Sequence, residues 1–406
     1  MSLLDFFRRP PSRRKYAQLL MKKLAARYPH EPVRFDEEGL RLLLGTDGAH
    51  VINLHNLYPE YCAAAGGERE RQLERAVAMA CPPGLPATFA AARPHLMPAL
   101  RGRGMAEYLR LMELGKEPDA PSGSLFLPFS GDTVLMLVHD GADMMQSVGP
   151  AQLAQWGVGV EEALAAAMDK LRDATVDRFI QVERGVYAGD WGDAYDSSRL
   201  LLPDLAHRIA GANPLAMIPA RHTLLRASSK NVEGVRAMVA LAQRVADTET
   251  RPVSALMYRF EAGRPVEHVP EDALVRTGLA SLRRQYLYGD YAAQAEMLEA
   301  LHEKNGTDMF VASYKVMREE ASGAEYSFCV WTEGVDTLLP RTERVVLSSH
   351  GGDGGSDELL MFPWDALHAA CGHLIEPVPQ AWPPRYRVTA FPDLEPLRPL
   401  ALPARA

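Results

Sequence analysis

The sequence PLAMIPARHTLLRAS, residues 214–228, places an apolar run on each side of a proline, an arginine and a histidine. Pro219 has a fixed backbone angle and no amide donor, which suits a bend between two strands. Arg221 could hold an anionic group with two hydrogen bonds, and the imidazole of His222 titrates near neutral pH. Because successive strand residues point to opposite faces, both side chains can serve one site only if Pro219 bends the chain. The stretch therefore predicts a strand corner that carries a candidate binding site.

A second stretch, DTLLPRTERVVLSS at residues 336–349, has a similar shape. Each stretch is followed by a polar turn, a helical segment and another strand, which predicts a duplicated strand–helix–strand unit. The alternative is that the match is coincidental. Arg341 directly follows Pro340, whereas Arg221 is two residues after its proline, and the second stretch has no histidine. A structural corner tolerates such shifts and a catalytic site does not, so Arg221 ranks ahead of His222 as a functional residue.

The composition is that of an ordinary globular protein. The 406 residues exceed one typical core, so two or three domains are expected. Hydrophobic residues make up 47% of the chain and charged residues 24%, which favours a folded chain over a disordered one. The formal net charge is −8, and lysines and arginines are scattered except within residues 8–15. The chain therefore lacks the basic field of a nucleic-acid-binding protein.

Cysteine use and hydropathy predict a cytoplasmic protein. The four isolated cysteines form no CxxC pair and are interpreted as buried apolar residues in a reducing compartment. They are Cys62, Cys81, Cys329 and Cys371. No apolar run approaches the roughly 20 residues that span a bilayer, and the N-terminus makes a poor secretory signal because its charges follow its apolar patch. An alternative for this end is contact with a membrane surface through the apolar and basic residues of segment 1–14.

Apolar periodicity predicts an α+β fold with two or three antiparallel-sheet modules, each flanked by helices. Segments 115–124 and 261–273 are punctuated by proline and glycine, and they are interpreted as linkers. The predicted modules are therefore an N-terminal α/β module over 1–114 and two α+β modules over 124–262 and 274–400.

Local signals predict where individual helices and strands begin and end. HVINLHNLY at residues 50–58 alternates between apolar and polar residues, which is typical of a strand. Residues 149–174 are predicted to form two helices separated near Gly157. A proline disrupts a helix interior, so the helical pattern over 195–211 predicts two abutting helices, the second of which starts near Pro203.

The sequence lacks the signatures of several well-marked enzyme classes. It contains no GxGxxG after a strand, no GxxxxGK[ST], no GxSxG, no HExxH and no set of protein-kinase motifs. Dinucleotide, phosphate-loop and serine-hydrolase chemistry are therefore disfavoured, and no cofactor is predicted. HAACGH at residues 368–373 contains zinc-ligand residue types, but His368 and His373 lie about 140° apart around a helix, so no metal site is predicted there.

An acidic cluster, GDWGDAYDSSR at residues 189–199, precedes the corner. Its carboxylates, including Asp193 and Asp196, could hold a hard cation such as Mg²⁺ or supply an acid–base pair. The alternative is structural, with Asp193 capping a helix and Arg199 pairing with Asp196. Both interpretations stay open, so Asp193, Asp196 and Arg199 are candidate site residues.

Three segments carry a resemblance to a protein family. They are INLHNLYPEY (52–61), LVHDGADMMQSVGPAQLAQWGVGVEEALAAAMDKL (137–171) and PLAMIPARHTLL (214–225). An Asn-Leu-Tyr after a strand, a Trp-Gly between two helical pieces and an Ile-Pro-x-Arg corner together resemble the YtpQ-like bacterial family, domain of unknown function 1444. The resemblance covers roughly residues 15–260. It implies no catalytic residues, and Asn56 of the Asn-Leu-Tyr motif joins the candidates.

The lack of an assembled catalytic set favours a non-enzymatic binding or interaction protein, whose partner is another protein or a small anionic ligand. The alternative is a hydrolase or other small-molecule enzyme that uses an Asp/Arg/His cluster. The candidate residues for either function are Asn56, Asp193, Asp196, Arg199, Arg221 and His222. The enzymatic alternative requires Asp196 and Arg221 to share one site.

Overall fold

The computed structural model divides into two compact units. The first comprises Met1–Met97, Val138–Val148 and Gln152–Ala166, and the second comprises Pro98–Leu137, Gly149–Ala151 and Ala167–Ala406. The structure describes residues 11–45, 50–80, 84–116, 123–141, 144–211, 213–249, 251–320, 322–350 and 358–403. Residues 1–10, Cys81, most of the first predicted linker and the glycine-rich segment 351–357 lie outside these ranges. The division into three modules stays a prediction from the sequence.

The first unit packs helices against a three-stranded antiparallel sheet. Its elements are α1 (Arg13–Arg27), β1 (Val33–Asp36), β2 (Arg41–Leu44), β3 (His50–Asn53), α2 (Leu54–Ala63), α3 (Gly66–Ala80) and α4 (Phe89–Ala92). Tyr16, Leu20 and Leu24 recur every four residues along α1, so they share one face and are buried in the core. Burial of each such side chain stabilises the unit by about 1.5–3 kcal/mol.

The predicted strand over residues 50–58 is wrong beyond Asn53. The chain turns into α2 because Leu54 and Tyr61, seven residues apart, fall on one helical face and bury their side chains in the core. The ring centroid of Tyr61 lies 4.9 Å from that of Tyr16 on α1. Because β3 directly precedes α2, the alternation of residues 50–53 hides the start of the helical pattern at Leu54.

The predicted break near Gly157 is confirmed. It separates α6 (Pro150–Trp156) from α7 (Val160–Asp173). Gly157 has a φ of +68°, a left-handed conformation that disfavours residues with a Cβ atom. Within the first unit, the indole of Trp156 donates to the carbonyl of Pro86 at 2.7 Å, and its ring centroid lies 6.1 Å from that of Phe89. These contacts hold the end of α6 in place.

The second unit is built on a six-stranded antiparallel sheet. Its strands are β8 (Phe179–Glu183), β9 (Val186–Gly189), β10 (Pro214–Met217), β11 (Leu225–Ser228), β12 (Met257–Glu261) and β13 (Arg264–His268). Their spatial order is β13–β12–β10–β11–β9–β8. The helices of this region are α8 (Pro203–Ala210), α9 (Val232–Thr248) and α10 (Ala273–Asn305). Apolar residues of α9 and α10 pack with Met217, Leu225 and Met257 to form a core on one face of the sheet.

Two sequence predictions in this region have different outcomes. A helix starting at Pro203 is confirmed, since α8 begins there. Residues 264–268, predicted as part of a linker, instead form β13, which pairs with β12 through Met257↔His268. The alternation expected of a buried strand is missing because β13 is an edge strand, and an edge strand tolerates Pro265.

A smaller sheet contributes one strand, β4 (Leu96–Gly102), to the candidate site. Its other strands are β5 (Phe126–Pro128), β6 (Thr133–Asp140) and β7 (Met145–Ser147), and helix α5 (Arg103–Lys116) follows β4. The order in the sheet is β4–β6–β5, and β6 pairs with β5 through Phe126↔Met136. The end of β6 pairs with β7 in the first unit through Val138↔Ser147.

The C-terminal part of the second unit contains two four-stranded sheets. The elements of this part are β14 (Phe310–Val311), β15 (Lys315–Arg318), β16 (Glu325–Thr332), β17 (Thr337–Pro340), β18 (Arg344–Ser349), β19 (Glu358–Pro363), α11 (Trp364–Cys371), β20 (Glu376–Pro377) and β21 (Arg385–Val388). The strand order is β14–β17–β21–β20 in one sheet and β15–β16–β18–β19 in the other. The predicted α+β class is confirmed. Not every pair is antiparallel, however, because β14 pairs with β17, and β16 with β18, in parallel.

Among the described residues, no helix is both long and apolar enough to cross a bilayer.

The two stretches with similar sequences pair differently. Strands β10 and β11 pair with each other, through Met217↔Leu225. Strand β17 instead pairs with β21, and β18 pairs with β16 and β19 in another sheet. The duplicated unit therefore stays a prediction from the sequence, and the similarity of the two stretches does not extend to the pairing of their strands.

A cation is buried on the face of the six-stranded sheet opposite α9 and α10. Arg226 on β11 alternates with Leu225 and Ala227, which belong to the core under these helices. Its guanidinium carbon lies 5.6 Å from the ring centroid of Phe179 and 5.8 Å from that of Phe260. The side chain is 0% exposed, and none of its nitrogens has a hydrogen-bond partner among the described residues. Burial lowers the pKa of Arg226 to about 9.

We expect Arg226→Met to raise the free energy of unfolding by about 1–4 kcal/mol, because methionine fills the space between the rings without burying a charge. Denaturant-induced unfolding measures this change. Arg226→Ala is the matched control and should destabilise the protein, since it leaves a cavity. Equal losses in both variants would show instead that the cation–aromatic contacts outweigh the cost of burying the charge.

Candidate functional site

Pro219 lies in the predicted bend, because β10 ends at Met217 and β11 begins at Leu225. The proline carbonyl accepts two hydrogen bonds, from the amide of Val253 at 3.0 Å and from the hydroxyl of Tyr286 at 2.5 Å. Two separate elements thus hold the bend, one a strand-like segment and the other helix α10. The corner is therefore a fixed part of the fold.

The residues after Pro219 continue this pairing with segment 251–254. The amide of Arg221 donates to the carbonyl of Arg251 at 3.3 Å, one residue beyond an isolated bridge between Ala220 and Pro252. On its other side, the carbonyl of Arg221 accepts from the amide of Ser197 at 3.2 Å. The backbone of Arg221 is therefore held from two directions, which sets where its side chain begins.

Strand β4 brings a third arginine to the same place. The amide of Leu100 donates to the hydroxyl of Ser198 at 3.0 Å. The next residue but one, Gly102, lies so close to segment 251–254 that an added Cβ would come within 3.2 Å of the carbonyl of Val253. Arg101 lies between these two contacts and is 3% exposed. We call the group formed by Arg101, Arg221 and Arg251 the arginine corner.

The three guanidinium groups of the arginine corner are close enough to affect one another electrostatically. Burial, followed by the positive charges of Arg221 and Arg251, lowers the pKa of Arg101 to about 9. Arg221 and Arg251 are half-buried, whereas Arg101 is buried. The corner therefore has one cation in the interior and two that reach the surface.

His222 lies at the exposed rim of this corner. Loss of solvent around its ring lowers its pKa below the ordinary value of 6.5, and the charge of Arg221 lowers it further. The carboxylates of Glu249 and Asp196 oppose this shift without reversing it. His222 is therefore neutral at pH 7 and becomes a fourth cation when the pH falls.

Two polar atoms beside the corner are buried and have no hydrogen-bond partner among the described residues. They are Oδ2 of Asp196 and the hydroxyl oxygen of Ser197. The other oxygen of Asp196 accepts from the amide of Trp191 at 3.3 Å. Burial, and then the nearby charge of Asp193, raise the pKa of Asp196. Buried polar groups are normally paired, so these two atoms are unusual features of this region.

Asp193 and Arg199 form a structural ion pair. Nη1 of Arg199 donates to Oδ1 of Asp193 at 2.8 Å, and Nη2 donates to Oδ2 at 2.6 Å. Nε of Arg199 donates to the hydroxyl of Thr175 at 2.9 Å, and the guanidinium carbon lies 4.3 Å from the ring centroid of Trp191. Partial burial acts to raise the pKa of Asp193, but the hydrogen bonds from Arg199 outweigh it and the pKa is lowered. Arg199 pairs with Asp193 and not with Asp196, contrary to the structural alternative drawn from the sequence.

The structure thus brings Asp196, Arg221 and His222 together and commits Asp193 and Arg199 to each other. Asn56 lies in α2 of the first unit, and its side chain lies outside the part of the chain that is described. Among the described residues, no group of three or more histidine, cysteine, aspartate or glutamate side chains is placed to hold a metal ion.

A second polar cluster is absent from the sequence-based candidates. The buried carboxylate of Asp132 accepts hydrogen bonds at 2.8 Å from the hydroxyl of Thr133, the hydroxyl of Ser254 and the amide of Ala255. The hydroxyl of Tyr258 lies 2.8 Å from that of Ser254. Burial raises the pKa of Asp132 despite these bonds. The cluster adjoins the corner because Ser254 belongs to the segment that also holds Pro219.

Some sequence signals for the missed residues can be identified afterwards. Arg101 stands in the otherwise apolar run LMPALRG, where a buried charge is unusual. Asp132 stands in the turn Ser-Gly-Asp-Thr between two strands, which is a common place for an aspartate. Arg251 has no local signal. Only the first of these could have been singled out from the sequence.

We expect Asp193→Asn to lower the free energy of unfolding by about 2–3 kcal/mol. A buried pair that loses one partner costs about 3–5 kcal/mol, and we reduce this because the side chain of Asp193 is 35% exposed. Asp169→Asn is the matched control, since Asp169 pairs with Arg172 at the surface and should contribute less than about 0.5 kcal/mol. Equal changes in the two variants, measured by denaturant unfolding, would contradict a structural role for the Arg199 pair.

Comparisons with protein-family models, with curated proteins and with solved structures give no match for this chain. The resemblance to the YtpQ-like family therefore stays a prediction from the sequence.

Proposed function

We propose that this protein is a non-enzymatic binding protein for a small oxyanion, such as a phosphate, a sulfate or a carboxylate, and that the arginine corner holds the anion. The observation that carries the proposal is the convergence of Arg101, Arg221 and Arg251 from three separate segments of the second unit. The predicted cytoplasmic location fits a small metabolite as the ligand.

The backbone geometry supports an anion site because it fixes the arginines before any ligand arrives. Hydrogen bonds on both sides of Arg221 and the pairing with segment 251–254 hold two of the three Cα positions. Each guanidinium presents a planar fork of donors that matches the oxygens of a phosphate or carboxylate. Cations held together repel one another, so an anion placed among them lowers the electrostatic free energy. A preformed site also loses less entropy on binding.

The exposures support a ligand that enters from the surface. Arg221 and Arg251 are half-buried, His222 is exposed, and Arg101 lies below them. The first two can therefore meet an anion in solvent, while Arg101 contributes charge from the interior, where screening by water is weak.

A neutral donor, the buried hydroxyl of Ser197, lies beside the proposed site. The hydroxyl of Ser197 has no described partner and can donate to an oxyanion. Burial raises the pKa of the neighbouring Asp196, which favours its neutral form and so weakens the repulsion between Asp196 and an anion.

The enzymatic alternative from the sequence has weaker support. It requires Asp193, Asp196, Arg221 and His222 to converge in one pocket, but Asp193 is paired with Arg199. In addition, Asp196 is 1% exposed, so its carboxylate does not meet a substrate or an attacking water at the surface. The resemblance to the YtpQ-like family adds no catalytic residue. A binding function requires only the three arginines, whereas an enzymatic function also requires the carboxylate of Asp196 to reach a substrate.

We expect sulfate, phosphate and succinate to bind the wild-type protein in isothermal titration calorimetry at low ionic strength, with at least one of them clearly preferred. Arg221→Gln and Arg251→Gln should each weaken that binding about tenfold or more, because each removes charge-assisted hydrogen bonds worth about 1.5–3 kcal/mol. Arg264→Gln is the matched control, since Arg264 is an exposed arginine on β13 of the same unit. Failure of all three anions to bind the wild-type protein, or equal weakening by Arg264→Gln, would contradict the proposal.

The pKa of His222 gives the proposed site a pH dependence. The pKa of His222 lies below 6.5, so the ring gains its proton only as the pH falls through that lowered value. The added charge attracts the anion, so sulfate binding should tighten about three- to tenfold once the pH has fallen below the lowered pKa of this ring. His222→Asn should remove this tightening while leaving the affinity at higher pH unchanged. Identical pH profiles for the two proteins would exclude His222 from the site.

A further inference from the structure

Two histidines of the first unit bring their rings together. His95 lies in a short 3₁₀ turn (Arg93–His95) directly before β4, and His139 lies on β6. Strands β4 and β6 are neighbours in the smaller sheet. The ring centroids of the two histidines lie 5.4 Å apart, and the ring planes are inclined by 53°. Two segments that are distant in the chain therefore present two imidazoles at one place.

Main-chain hydrogen bonds fix the positions from which both rings start. Strand β6 pairs with β7 through His139↔Gln146, which sets the backbone of His139. The amide of Leu96 donates to the carbonyl of Arg93 and so closes the turn that carries His95. The pair is therefore held by the backbone on both sides, and a ligand placed between the rings meets a site that is already formed.

The imidazole of His139 lacks the partners that a buried ring normally has. Its side chain is 9% exposed, and neither of its ring nitrogens has a hydrogen-bond partner among the described residues. A neutral imidazole carries one donor and one lone pair, and buried groups of this kind are normally paired. His95 is exposed, so a solute reaches the pair from the side of that ring. The geometry thus leaves ring nitrogens of His139 available to a ligand.

The electrostatic surroundings of the pair favour a metal cation. Burial, and then the positive charge that His95 can carry, lower the pKa of His139 below its ordinary value of 6.5. The ring is therefore neutral at pH 7 and keeps the lone pair that a metal ligand needs. The carboxylate of Asp140 opposes the shift, which shows that its negative charge acts at this ring. The same negative charge attracts a cation.

The spacing of the two rings matches the spacing that a shared metal ion imposes. A zinc ion binds an imidazole nitrogen at about 2.0–2.1 Å, which puts each ring centroid about 3.2 Å from the ion. With a tetrahedral angle between the two ligands, the centroids then lie about 5.2 Å apart. The observed separation of 5.4 Å differs little from this value. A direct hydrogen bond between the rings would give a similar spacing, but neither nitrogen of His139 makes one to a described residue.

We propose that His95 and His139 together bind one divalent transition-metal ion of the zinc type, and that water molecules complete its coordination. Imidazole nitrogen suits zinc, copper and nickel, whereas magnesium and calcium prefer oxygen ligands. Two protein ligands leave coordination positions open, so the ion exchanges with solvent. The ion joins the turn before β4 to strand β6, and its binding stabilises the first unit. This site is independent of the arginine corner, which belongs to the second unit.

The site can be tested with zinc(II) alone, on protein that carries no polyhistidine tag. Isothermal titration calorimetry of the wild type should show a site that is saturated at one zinc ion per chain and is unaffected by magnesium. His95→Gln and His139→Gln should each weaken zinc binding about tenfold or more, because the loss of one of two ligands costs at least as much as the loss of an outer partner. His30→Gln is the matched control, since His30 is an exposed histidine of the same unit.

Two further measurements locate the ion. Diethyl pyrocarbonate acylates exposed imidazoles, so zinc should slow the modification of His95 severalfold and leave that of His30 unchanged, as mass spectrometry of the wild type can measure. Zinc should also raise the thermal unfolding midpoint of the wild type and of His30→Gln but not that of His95→Gln. Because His95 is exposed, this last variant keeps the fold and decides the test even if His139→Gln does not fold.

Three results would overturn the assignment. The first is a wild-type protein that does not bind zinc. The second is zinc binding that is unchanged in His95→Gln, and the third is equal weakening by His30→Gln or equal protection of His30.

Discussion

The carbonyl of Pro219 is the constraint on which this part of the structure depends. It accepts one hydrogen bond from Val253 and one from Tyr286, so a segment next to the main sheet and the longest described helix meet at one oxygen. Proline cannot donate a hydrogen bond, and its ring limits the backbone, which makes this position a fixed bend. The positions of Arg221, Arg251 and Asp132 all follow from the segment that pairs with this bend.

Local sequence signals predicted those elements whose limits are set by local chemistry. The break at Gly157 and the helix start at Pro203 both depend on one residue with an unusual backbone, and both are found in the structure. The switch into α2 at Leu54 and the edge strand at 264–268 were missed because long-range packing and pairing decide them. For the same reason, the similarity between the stretches around Pro219 and Pro340 did not predict how their strands pair. The residues of a strand alone do not determine which other strands it pairs with.

The candidate site shows the same division between local and distant information. Arg221 and His222 were found from one motif, because their neighbours in sequence are also their neighbours in space. Arg101 reaches the corner from β4, Arg251 comes from the segment between α9 and β12, and Asp132 comes from the turn between β5 and β6. Within the acidic cluster at 189–199, Asp193 pairs with Arg199, whereas Asp196 is buried beside the corner.

Gly104 has a consequence for how this region can change through evolution. The carboxylate of Asp290 occupies the space that any side chain at position 104 would need. An ancestral alanine at 104 would require a smaller residue or a displaced carboxylate at 290, so the two positions should covary. A lineage that lost the aspartate would be free to accept larger residues at 104.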